Sequence, residues 1–421
     1  MVIKKRDNQV TVLDIGTSKI ACINATILSS GSFEIMGVGY CGAQGIRSGI
    51  IVDLNEAADC IYKAMSLAED SSYTPIKNLY ISISPSLLFS QKSILDVNIM
   101  GNEIVEKTLH EMVLSAIESF NKQNSQIIHT FLYNYKIDGK SVVSPLGLFG
   151  DKCECTMNII STKINNLLTY RNCLERYKKV DIKQYLASNY AMCLAILLPN
   201  EIKTGAILID FGAGTTSLTV FENGSITYCD SIPLGGNSIT NDLSICLGIS
   251  MEEAERIKNL YGGISIVEND NKEKILINSI DNDKSNENIE YILRSDVVSI
   301  MKARTEEIFD ILLKRLPDQD VTNNKKIVLT GGSSRIQGTI EFLSEIFYSN
   351  VRHGYPYLID SLDQAVNLEL SVVLGMLIHI VDQGNTYNDK RNYNNNENNL
   401  HNQKELTFWK KIKDYFIKKQ L

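Results

Sequence analysis

The amino-acid sequence predicts a two-lobed α/β protein with an inserted subdomain and a C-terminal amphipathic helix. Two segments, 10–27 and 206–220, share one pattern: a buried strand, an aspartate, a glycine turn and a returning strand. A third segment, 327–334, is another buried strand that ends in paired glycines. The chain has 421 residues, more than one hydrophobic core usually serves. The repeated pattern therefore predicts two similar domains that face one shared ligand.

The first hairpin spans residues 10–27 and has Asp14 at the end of its first strand. Its turn consists of Gly16, Thr17 and Ser18. Main-chain N–H groups at such a turn can point inward toward an anion, so the turn predicts one half of a phosphate site. Lys19 follows the turn and either reaches a terminal phosphate or is a solvated strand lysine.

Between the two hairpins, hydrophobic periodicity predicts the outer layer of the first lobe and an inserted subdomain over residues 85–163. The subdomain has a hairpin turn at Asp138-Gly139 and its own helix at 105–120. Further helices are predicted at 55–67, 163–180 and 184–198.

The second hairpin spans residues 206–220, with Asp210 where its buried strand emerges. The residues that could contact an anion are Gly212, Gly214, Thr215 and Thr216. Walker loops and dinucleotide fingerprints lead from strand to helix, whereas this turn returns as a strand. A tight hairpin without a ligand is the alternative for this segment taken alone.

Beyond the second hairpin, Ser250 is predicted to cap a helix that carries Glu255 and Lys258 on one face. These two side chains either clamp a ribose or form a surface ion pair. Residues 268–288 form a polar loop around a strand at 275–277. Helices are predicted at 291–316, 339–347 and 361–381. In the third landmark, Gly331 and Gly332 have no side chains to obstruct a flat base such as adenine.

Composition excludes several classes of protein. The apolar share of 44% and the charged share of 22% are those of a soluble globular protein. The nine cysteines include no Cys-x-x-Cys pair, and their odd number argues against a complete disulfide framework, which fits a reducing cytosol. Cys153 and Cys155 are expected to be core thiols rather than metal ligands. The start of the chain lacks a signal peptide, and no apolar run is long enough to span a bilayer. A net charge of −7 argues against a general nucleic-acid binder.

The C-terminal segment 404–421 differs from the rest of the chain, since it holds six lysines and two acidic residues. A helical wheel places an aromatic apolar face opposite a basic one. The residues predicted to contact lipid are Leu406, Phe408, Trp409, Lys410, Lys411, Ile412, Tyr415, Phe416 and Lys418. Such a helix, beyond an Asn-rich disordered linker at 383–403, fits an anionic membrane surface. Docking on the body or on a partner is the alternative.

Taken together, these landmarks resemble the two phosphate motifs and the adenosine motif of the actin, Hsp70 and sugar-kinase superfamily. Within it, the chain is most similar to the FtsA family of bacterial cell division proteins. The supporting motifs are Asp14-Ile-Gly-Thr-Ser-Lys19, Gly37-Val-Gly39 with Gly45, Gly49-Ile-Ile-Val-Asp53, Ser144-Pro-Leu-Gly147, Leu186-Ala-Ser-Asn-Tyr190, Gly235-Gly-Asn-Ser-Ile-Thr-Asn-Asp242, Ala254-Glu-Arg-Ile-Lys258 and Tyr261-Gly262.

The resemblance implies an actin-like (ribonuclease H-like) ATPase fold with ATP between the lobes. It assigns subdomain 1A to 1–84, 164–202 and 363–382, subdomain 1C to 85–163, subdomain 2A to 203–237 and 326–362, and subdomain 2B to 238–325. Asp14 and Asp210 would hold Mg²⁺ through water. The phosphates would lie against Gly16, Thr17, Ser18, Lys19, Gly212, Gly214, Thr215 and Thr216. The ribose would lie against Glu255 and Lys258, and the adenine against Gly331, Gly332 and Ser333.

The same resemblance implies an adaptor that tethers filaments of the tubulin-like protein FtsZ to the inner leaflet at the division septum. It further implies self-association into filaments and contacts with other division proteins. Lys302 and Arg304 lie on a helix, with Glu307, that resembles the family's face for the acidic FtsZ peptide. Ser188 and Asn189 lie where relatives position a water molecule, but no side chain is marked as a general base. At most, a slow ATPase is expected.

Two departures from the family pattern stand out. Phe211 and Ala213 interrupt the run of glycines that the family usually has in its second phosphate motif. The loop at 268–288 is also unusually rich in Asn and Asp. Two other functions share the nucleotide motifs: a small-molecule kinase and a pilus-assembly protein, neither of which accounts for the basic amphipathic tail.

Overall fold

The computed structural model of the protein describes residues 8–28, 32–120, 124–177, 179–222, 224–265, 272–277, 290–316, 325–357 and 368–392. The amphipathic segment 404–421, most of the loop at 268–288 and the linker residues beyond 392 lie outside this range. No helix within the described ranges combines the length and apolarity needed to cross a membrane.

Lobe 1 is built on a five-stranded sheet in the order β11-β6-β1-β2-β3. Its strands are β1 (Gln9–Ile15), β2 (Lys19–Ile27), β3 (Phe33–Gly42), β6 (Asn78–Ile83) and β11 (Asp181–Ala187), with the short pair β4 (Ile46–Arg47) and β5 (Ile50–Ile51) beside them. Its helices are α1 (Leu54–Ser72), α3 (Ile164–Glu175), α4 (Ser188–Ile196), α5 (Pro199–Thr204) and, from the end of the chain, α10 (Ser371–Asn392).

Two helical layers cover the sheet of lobe 1. Helix α1 packs so closely on β3 that a Cβ at Gly39 would lie 1.7 Å from the Ala64 carbonyl oxygen. Helix α10 packs on α4 and on β1, β2 and β6. A Cβ at Gly375 of α10 would lie 1.7 Å from the Ala191 carbonyl oxygen of α4, so these two helices are also in backbone contact. Glycine is required at both positions because any side chain would separate the layers.

The inserted subdomain is a four-stranded sheet, in the order β7-β10-β8-β9, covered by α2 (Glu106–Phe120). Its strands are β7 (Phe89–Asn98), β8 (Ser125–Ile137), β9 (Lys140–Val142) and β10 (Lys152–Lys163). Cys153 and Cys155 lie in its core as free thiols, as expected. The subdomain also contacts lobe 2, since the Asn158 side chain donates to the Ile226 carbonyl oxygen at 3.0 Å.

Lobe 2 has a second five-stranded sheet, in the order β14-β13-β12-β17-β18, with its own core. Its strands are β12 (Ala206–Phe211), β13 (Thr216–Glu222), β14 (Ser225–Ile232), β17 (Lys326–Thr330) and β18 (Val351–His353), and β15 (Lys274–Ile277) pairs with β16 (Glu290–Leu293). Its helices are α6 (Gly236–Leu247), α7 (Met251–Tyr261), α8 (Arg294–Leu313) and α9 (Thr339–Phe347).

The two glycine hairpins share one backbone geometry. Asp14 pairs across the first hairpin with Ala21, and Asp210 pairs across the second with Ser217, at the same distance from the turn. Each turn is closed by the N–H of its first glycine, which donates to the Lys19 oxygen at 2.9 Å in the first and to the Thr215 oxygen at 3.0 Å in the second. The repeat in the sequence is therefore a repeat in three dimensions.

Several predicted elements differ from the structure. Residues 184–187, expected to be helical, belong to strand β11, which pairs with β6 at the sheet edge. Residues 291–293, also expected to be helical, belong to β16, and the helix begins at Arg294. Strand β18 was not predicted, since its three residues are too short for a periodic signal. In each case pairing with a neighbouring strand decides the conformation. The hydrophobic pattern of the segment itself does not show which strand will pair with it.

The last helix also differs from its prediction. It begins at Ser371, while residues 361–367 of the predicted helix lie outside the described part of the chain, and its backbone is helical to Asn392, ten residues into the predicted linker at 383–403. Extending an existing helix costs far less than starting one, so a polar sequence can continue a helix that core packing has already formed.

Candidate functional site

Asp14 lies at the carboxyl end of β1, where its side chain is almost fully buried. The Ser82 hydroxyl, at the end of the neighbouring parallel strand β6, donates a hydrogen bond to Asp14 Oδ1 at 2.5 Å. Burial raises the pKa of Asp14, while the Ser82 hydrogen bond and the charge of Lys19 act in the opposite direction. The carboxylate is therefore oriented before any ligand arrives.

Asp210 occupies the equivalent position at the end of β12. Burial raises its pKa to about 6, Lys19 opposes that shift and Asp14 adds to it. The lysine of the first hairpin thus acts on the aspartates of both hairpins, and Asp14 acts on Asp210. The aspartate of lobe 2 is therefore within electrostatic range of both Asp14 and Lys19 of lobe 1.

The tips of the two hairpins are in contact. A Cβ added at Gly214 would lie 2.5 Å from Thr17 Cγ2 and 2.8 Å from Thr17 Oγ1. Only glycine fits that approach without displacing the threonine. Thr17 Oγ1 accepts a hydrogen bond from the Gly49 N–H at 2.8 Å, so the first tip is also connected to the loop that precedes α1.

The main chain of the second hairpin is held from within its own lobe. The Gly212 carbonyl oxygen accepts from the Gly236 N–H at 3.0 Å and from the Ser333 hydroxyl at 3.0 Å. The Ala213 carbonyl oxygen accepts from the Asn237 N–H at 2.7 Å. These bonds bring the start of α6 and the third landmark against the turn of the second hairpin, so motifs far apart in sequence form one surface.

The glycine pair of the third landmark also lies at this surface. Gly331 has a φ of 91°, and a Cβ there would lie 2.4 Å from Asp210 Oδ1. Glycine is required at this position by both its backbone conformation and its close approach to the aspartate. Gly332 is exposed, with no atom within 4 Å of an added Cβ, and leaves the surface beside the turn open.

Glu255 and Lys258 form the ion pair that the sequence allowed. Lys258 Nζ, which is buried, donates to Glu255 Oε2 at 2.6 Å, to Thr240 Oγ1 at 2.8 Å and to the Gly236 oxygen at 3.3 Å. Burial raises the pKa of Glu255, but the hydrogen bonds from Lys258 and Thr240 outweigh burial, and the pKa lies below its usual value. The contact with Gly236 places the pair at the edge of the same site.

Lys302 and Arg304 lie on α8. Arg304 forms ion pairs with Asp242 of α6 and, at 2.6 Å, with Glu307. Lys302 is half exposed and lies 3.8 Å from Glu306. Arg304 is thus paired with two carboxylates of lobe 2, and Lys302 is the more accessible of the two cations.

Ser188 and Asn189 are buried at the start of α4. Asn189 Nδ2 donates to Thr219 Oγ1 of lobe 2 at 3.2 Å, so this side chain contributes to the contact between the lobes. Ser188 Oγ has no hydrogen-bond partner among the described residues.

Two residues of the site were missed by the sequence reasoning. Ser82 could have been found, because a hydroxyl at the carboxyl end of a strand beside β1 must lie near Asp14. Glu369 lies just before α10, and its negative charge opposes the lowering of the pKa of Lys19 that burial causes. No local pattern in the sequence marks it, because its neighbours come from the opposite end of the chain.

The arrangement suits a phosphate chain with a hydrated cation. Magnesium retains several waters and often uses only one or two carboxylates, which matches Asp14 and Asp210. Within the described part of the chain no group of three or more His, Cys, Asp or Glu side chains converges, so a site with a full set of protein ligands is not formed there.

Two family models match the sequence of this chain. The model "Cell division protein FtsA" matches residues 207–375, and the model "SHS2 domain inserted in FTSA" matches residues 86–161. The chain belongs to the FtsA family of cell division proteins. The second match coincides with the inserted subdomain expected at 85–163.

Members of the FtsA family from several bacteria are similar over nearly the whole chain. The FtsA of Agrobacterium fabrum is 29% identical over 389 residues, covering 89% of this chain and 87% of the relative. The FtsA of Escherichia coli is 27% identical over 388 residues, covering 89% and 91%.

Solved structures confirm the two-lobed actin-like fold. The chain is similar to the PilM-PilN type IV pilus biogenesis complex with a TM-score of 0.58 and 14% identity, covering 88% of this chain and 98% of that one. It is similar to MreB5 of Spiroplasma citri bound to ADP with a TM-score of 0.54 and 14% identity, covering 91% and 98%. At such identities these likenesses concern the fold alone.

Proposed function

We propose that this FtsA family member binds ATP with Mg²⁺ between its lobes and tethers FtsZ filaments to the cytoplasmic face of the cell membrane at the division septum. The observation that carries the nucleotide part is the contact between two equivalent Asp-Gly hairpins, Gly214 against Thr17, with Asp14 and Asp210 directed into the space beside them. MreB5 of Spiroplasma citri, which has the same fold, is described as bound to ADP and to AMPPNP, which supports a nucleotide here.

The proposed roles follow the position of each residue. Asp14 and Asp210 hold Mg²⁺ through water. The phosphates contact the two turns, with Lys19 on the terminal groups. Glu255 and Lys258, already paired at the edge of the site, contact the ribose, and Gly331, Gly332 and Ser333 contact the adenine. Hydrolysis is left out of the proposal, since no described side chain here is placed as a general base.

The membrane part of the proposal rests on the sequence of residues 404–421. An apolar aromatic face with flanking lysines gains both from apolar burial and from attraction to anionic lipid. Co-sedimentation with vesicles containing anionic lipid should pellet the full chain, whereas a chain that ends at Asn392, where α10 ends, should stay in solution. Equal pelleting of the two would refute the tether.

The FtsZ part predicts that Lys302 contributes to a docking face for the acidic FtsZ peptide. Lys302→Glu should weaken recruitment of FtsZ to vesicles coated with the full chain, and Lys107→Glu, an exposed lysine of the inserted subdomain, is the matched control. Vesicles coated with native protein that recruit no FtsZ would refute this part while leaving nucleotide and lipid binding standing. Self-association into filaments belongs to the same proposal and is testable by electron microscopy on lipid monolayers.

The two rival functions gain no support from the family match. A small-molecule kinase or a pilus-assembly protein shares the nucleotide motifs, but the matched models are those of a cell division protein and of the subdomain inserted in it. Similarity to the PilM-PilN complex is explained by the shared fold.

A further inference from the structure

The β4–β5 hairpin lies beside the tip of the first glycine hairpin, and the proposed roles above do not use it. Arg47 pairs with Ile50 across the two strands, so Ser48 and Gly49 form a two-residue turn. Both turn residues have a positive φ, 47° at Ser48 and 76° at Gly49, as a type I′ turn requires. Asparagine, aspartate or glycine is the usual residue at the position of Ser48, and serine rarely adopts this left-handed conformation. The turn by itself therefore does not explain the serine.

Lobe 1 holds this turn on two sides. The Gly49 N–H donates to Thr17 Oγ1 at 2.8 Å, at the tip of the first glycine hairpin. The Ser86 hydroxyl donates to the Ser48 carbonyl oxygen at 2.7 Å. A Cβ at Gly49 would lie 2.0 Å from Ser84 Oγ, so the turn packs directly on the residues that follow β6. The main chain of Ser48 is thus fixed by lobe 1.

The side chain of Ser48 contacts the other lobe. Its hydroxyl donates to the Pro233 carbonyl oxygen at 3.4 Å. The next carbonyl oxygen, that of Leu234, accepts from Thr216 Oγ1 of the second glycine hairpin at 2.8 Å. The start of α6, which follows directly, is bonded to the turn of the same hairpin. Ser48 therefore connects the support of the second phosphate turn to the tip of the first.

The bond from Ser48 to Pro233 is single, long and partly exposed. A neutral bond of this kind adds little to the stability of a fold. Its loss should therefore change how firmly the two lobes are held together rather than whether the chain folds.

We propose that Ser48 is a positioning residue that joins the two phosphate turns across the cleft and so favours ATP over ADP. This inference rests on the proposed nucleotide binding, and it assigns Ser48 no contact with the nucleotide itself. In the proposed roles, lobe 2 contacts the adenine and the ribose, while Lys19 of lobe 1 contacts the terminal phosphate groups. ATP therefore extends across both lobes more fully than ADP does, and it gains more from a spacing that is already set.

Two variants of Ser48 separate positioning from stability. Ser48→Ala removes the hydroxyl, so ATP affinity should fall about fivefold, the effect of one hydrogen bond, and ADP affinity no more than about twofold. Ser48→Gly removes the same hydroxyl but also relieves the left-handed strain. It should weaken ATP binding as much as Ser48→Ala does, yet unfold at a higher urea concentration than that variant. With a purely structural role, affinity would follow stability.

Isothermal titration calorimetry with ATP and with ADP, both with Mg²⁺, measures the two affinities, and urea unfolding measures stability. Ser299→Ala is the matched control, because it removes an exposed serine hydroxyl that donates to the Ser295 oxygen at 2.7 Å within α8. It should change neither affinity. Unchanged ATP binding by Ser48→Ala and Ser48→Gly, or equal losses for ATP and ADP, would overturn the proposal.

A distance measurement without nucleotide separates this inference from the proposed function. All nine cysteines lie in the described part of the chain, and Cys246 of lobe 2 alone is exposed, so it can carry one spin label. A second label can be attached in lobe 1 through Tyr73→Cys, since Tyr73 is 94% exposed. Double electron–electron resonance on the full chain should then give a broader distribution of distances between the labels when Ser48→Ala is added.

An unchanged distribution of distances would overturn the proposed link between the lobes, whatever the affinities. Native protein that binds neither nucleotide would refute the proposed function and, with it, the role of Ser48 in the preference for ATP. A broader distribution in that case would show that Ser48 joins the lobes without serving a nucleotide site.

Discussion

In both lobes a neighbouring parallel strand places a hydroxyl residue beside the aspartate of the glycine hairpin. Ser82 follows the residue that pairs with Leu13, which places it beside Asp14, and Thr330 pairs directly with Asp210. Ser82 donates its hydrogen bond to Asp14. Thr330 instead donates to the Gly354 carbonyl oxygen at 3.1 Å. Burial raises the pKa of both carboxylates, but only that of Asp14 is opposed by a hydroxyl from the neighbouring strand.

The rest of each hairpin differs in a complementary way. The first turn carries polar side chains, Thr17 and Lys19, that extend toward the other lobe. The second turn has Ala213 and Gly214 at the positions that match Thr17 and Ser18, and its carbonyl groups are bonded to α6 and to Ser333. One hairpin thus contributes charge and hydroxyl groups, and the other contributes a main chain held in place. An internal repeat can preserve a backbone while the chemistry of its two copies diverges.

The contact between the tips should give the largest effect. In Gly214→Ala the new Cβ would lie 2.5 Å from Thr17 Cγ2, so the tips must separate, and ATP affinity should fall at least about thirtyfold. Titration calorimetry measures the loss. Adding Thr17→Ser removes Cγ2, the closest atom, but keeps the hydroxyl that accepts from Gly49 and that would lie 2.8 Å from the new Cβ, so it should recover only part of the affinity.

Gly42→Ala is the control for the Gly214 variant, because an added Cβ there meets no atom within 4 Å. It should bind ATP as the native chain does. Failure of Thr17→Ser to recover any affinity would show that the clash with Thr17 Cγ2 is not the cause of the loss.

The second largest effect concerns Asp210 in protein from which metal has been removed with a chelator and nucleotide by dialysis. An aspartate whose folded pKa is about 6 binds its proton more tightly folded than unfolded, so its contribution makes the folded state less stable as pH rises from about 4 through about 6. At pH 7 the ionised form costs at most about 3 kcal/mol, less where solvent reaches it. Asp210→Asn should remove this cost and raise the free energy of unfolding at pH 7 but not at pH 4.

Asp14→Asn is the matched variant for Asp210→Asn. It should stabilise the metal-free protein less, because the Ser82 hydrogen bond, which has no counterpart at Asp210, already stabilises the ionised form of Asp14. Denaturant unfolding at pH 4 and pH 7 checks both variants. An equal increase in the free energy of unfolding of the two variants at pH 7 would contradict the proposed difference between Asp14 and Asp210.

Loss of the Ser82 hydroxyl should affect ligand affinity, whereas loss of the Thr330 hydroxyl should affect stability. Ser82→Ala removes the hydrogen bond that orients Asp14, and affinity for ATP with Mg²⁺ should fall by about fivefold. Thr330→Val removes a hydrogen bond to Gly354 that does not involve an aspartate, so affinity should stay unchanged while stability falls by about 1 kcal/mol. Calorimetric titration and denaturant unfolding of both variants separate the two effects, and a loss of affinity in Thr330→Val would contradict the comparison.

Much of this site could be predicted from sequence because its parts are local patterns. A strand, an aspartate and a glycine turn follow each other directly, so both hairpins and the Gly331 turn were predicted from spacing alone. Whether Ser82 and Glu369 reach the site depends on which strand or helix lies beside the hairpin. Packing of segments that are distant in sequence decides this. Strand β11 was missed for the same reason, since its partner β6 precedes it by about a hundred residues.

Ala213 should give the smallest effect, although it departs most visibly from the family pattern. Its carbonyl oxygen accepts a hydrogen bond from the Asn237 N–H, so the main chain is already fixed. Ala213 occupies the position in the second turn that Thr17 occupies in the first. Ala213→Gly should therefore change ATP and ADP affinities by no more than about twofold, which corresponds to less than about 0.5 kcal/mol. Thr17→Ala, the matched change in the first hairpin, loses the bond from Gly49 and should weaken ATP binding more. If Ala213→Gly raised ATP affinity well beyond its effect on ADP affinity, the methyl group would be limiting the approach of the terminal phosphate. The second hairpin would then be the one that discriminates between ATP and ADP.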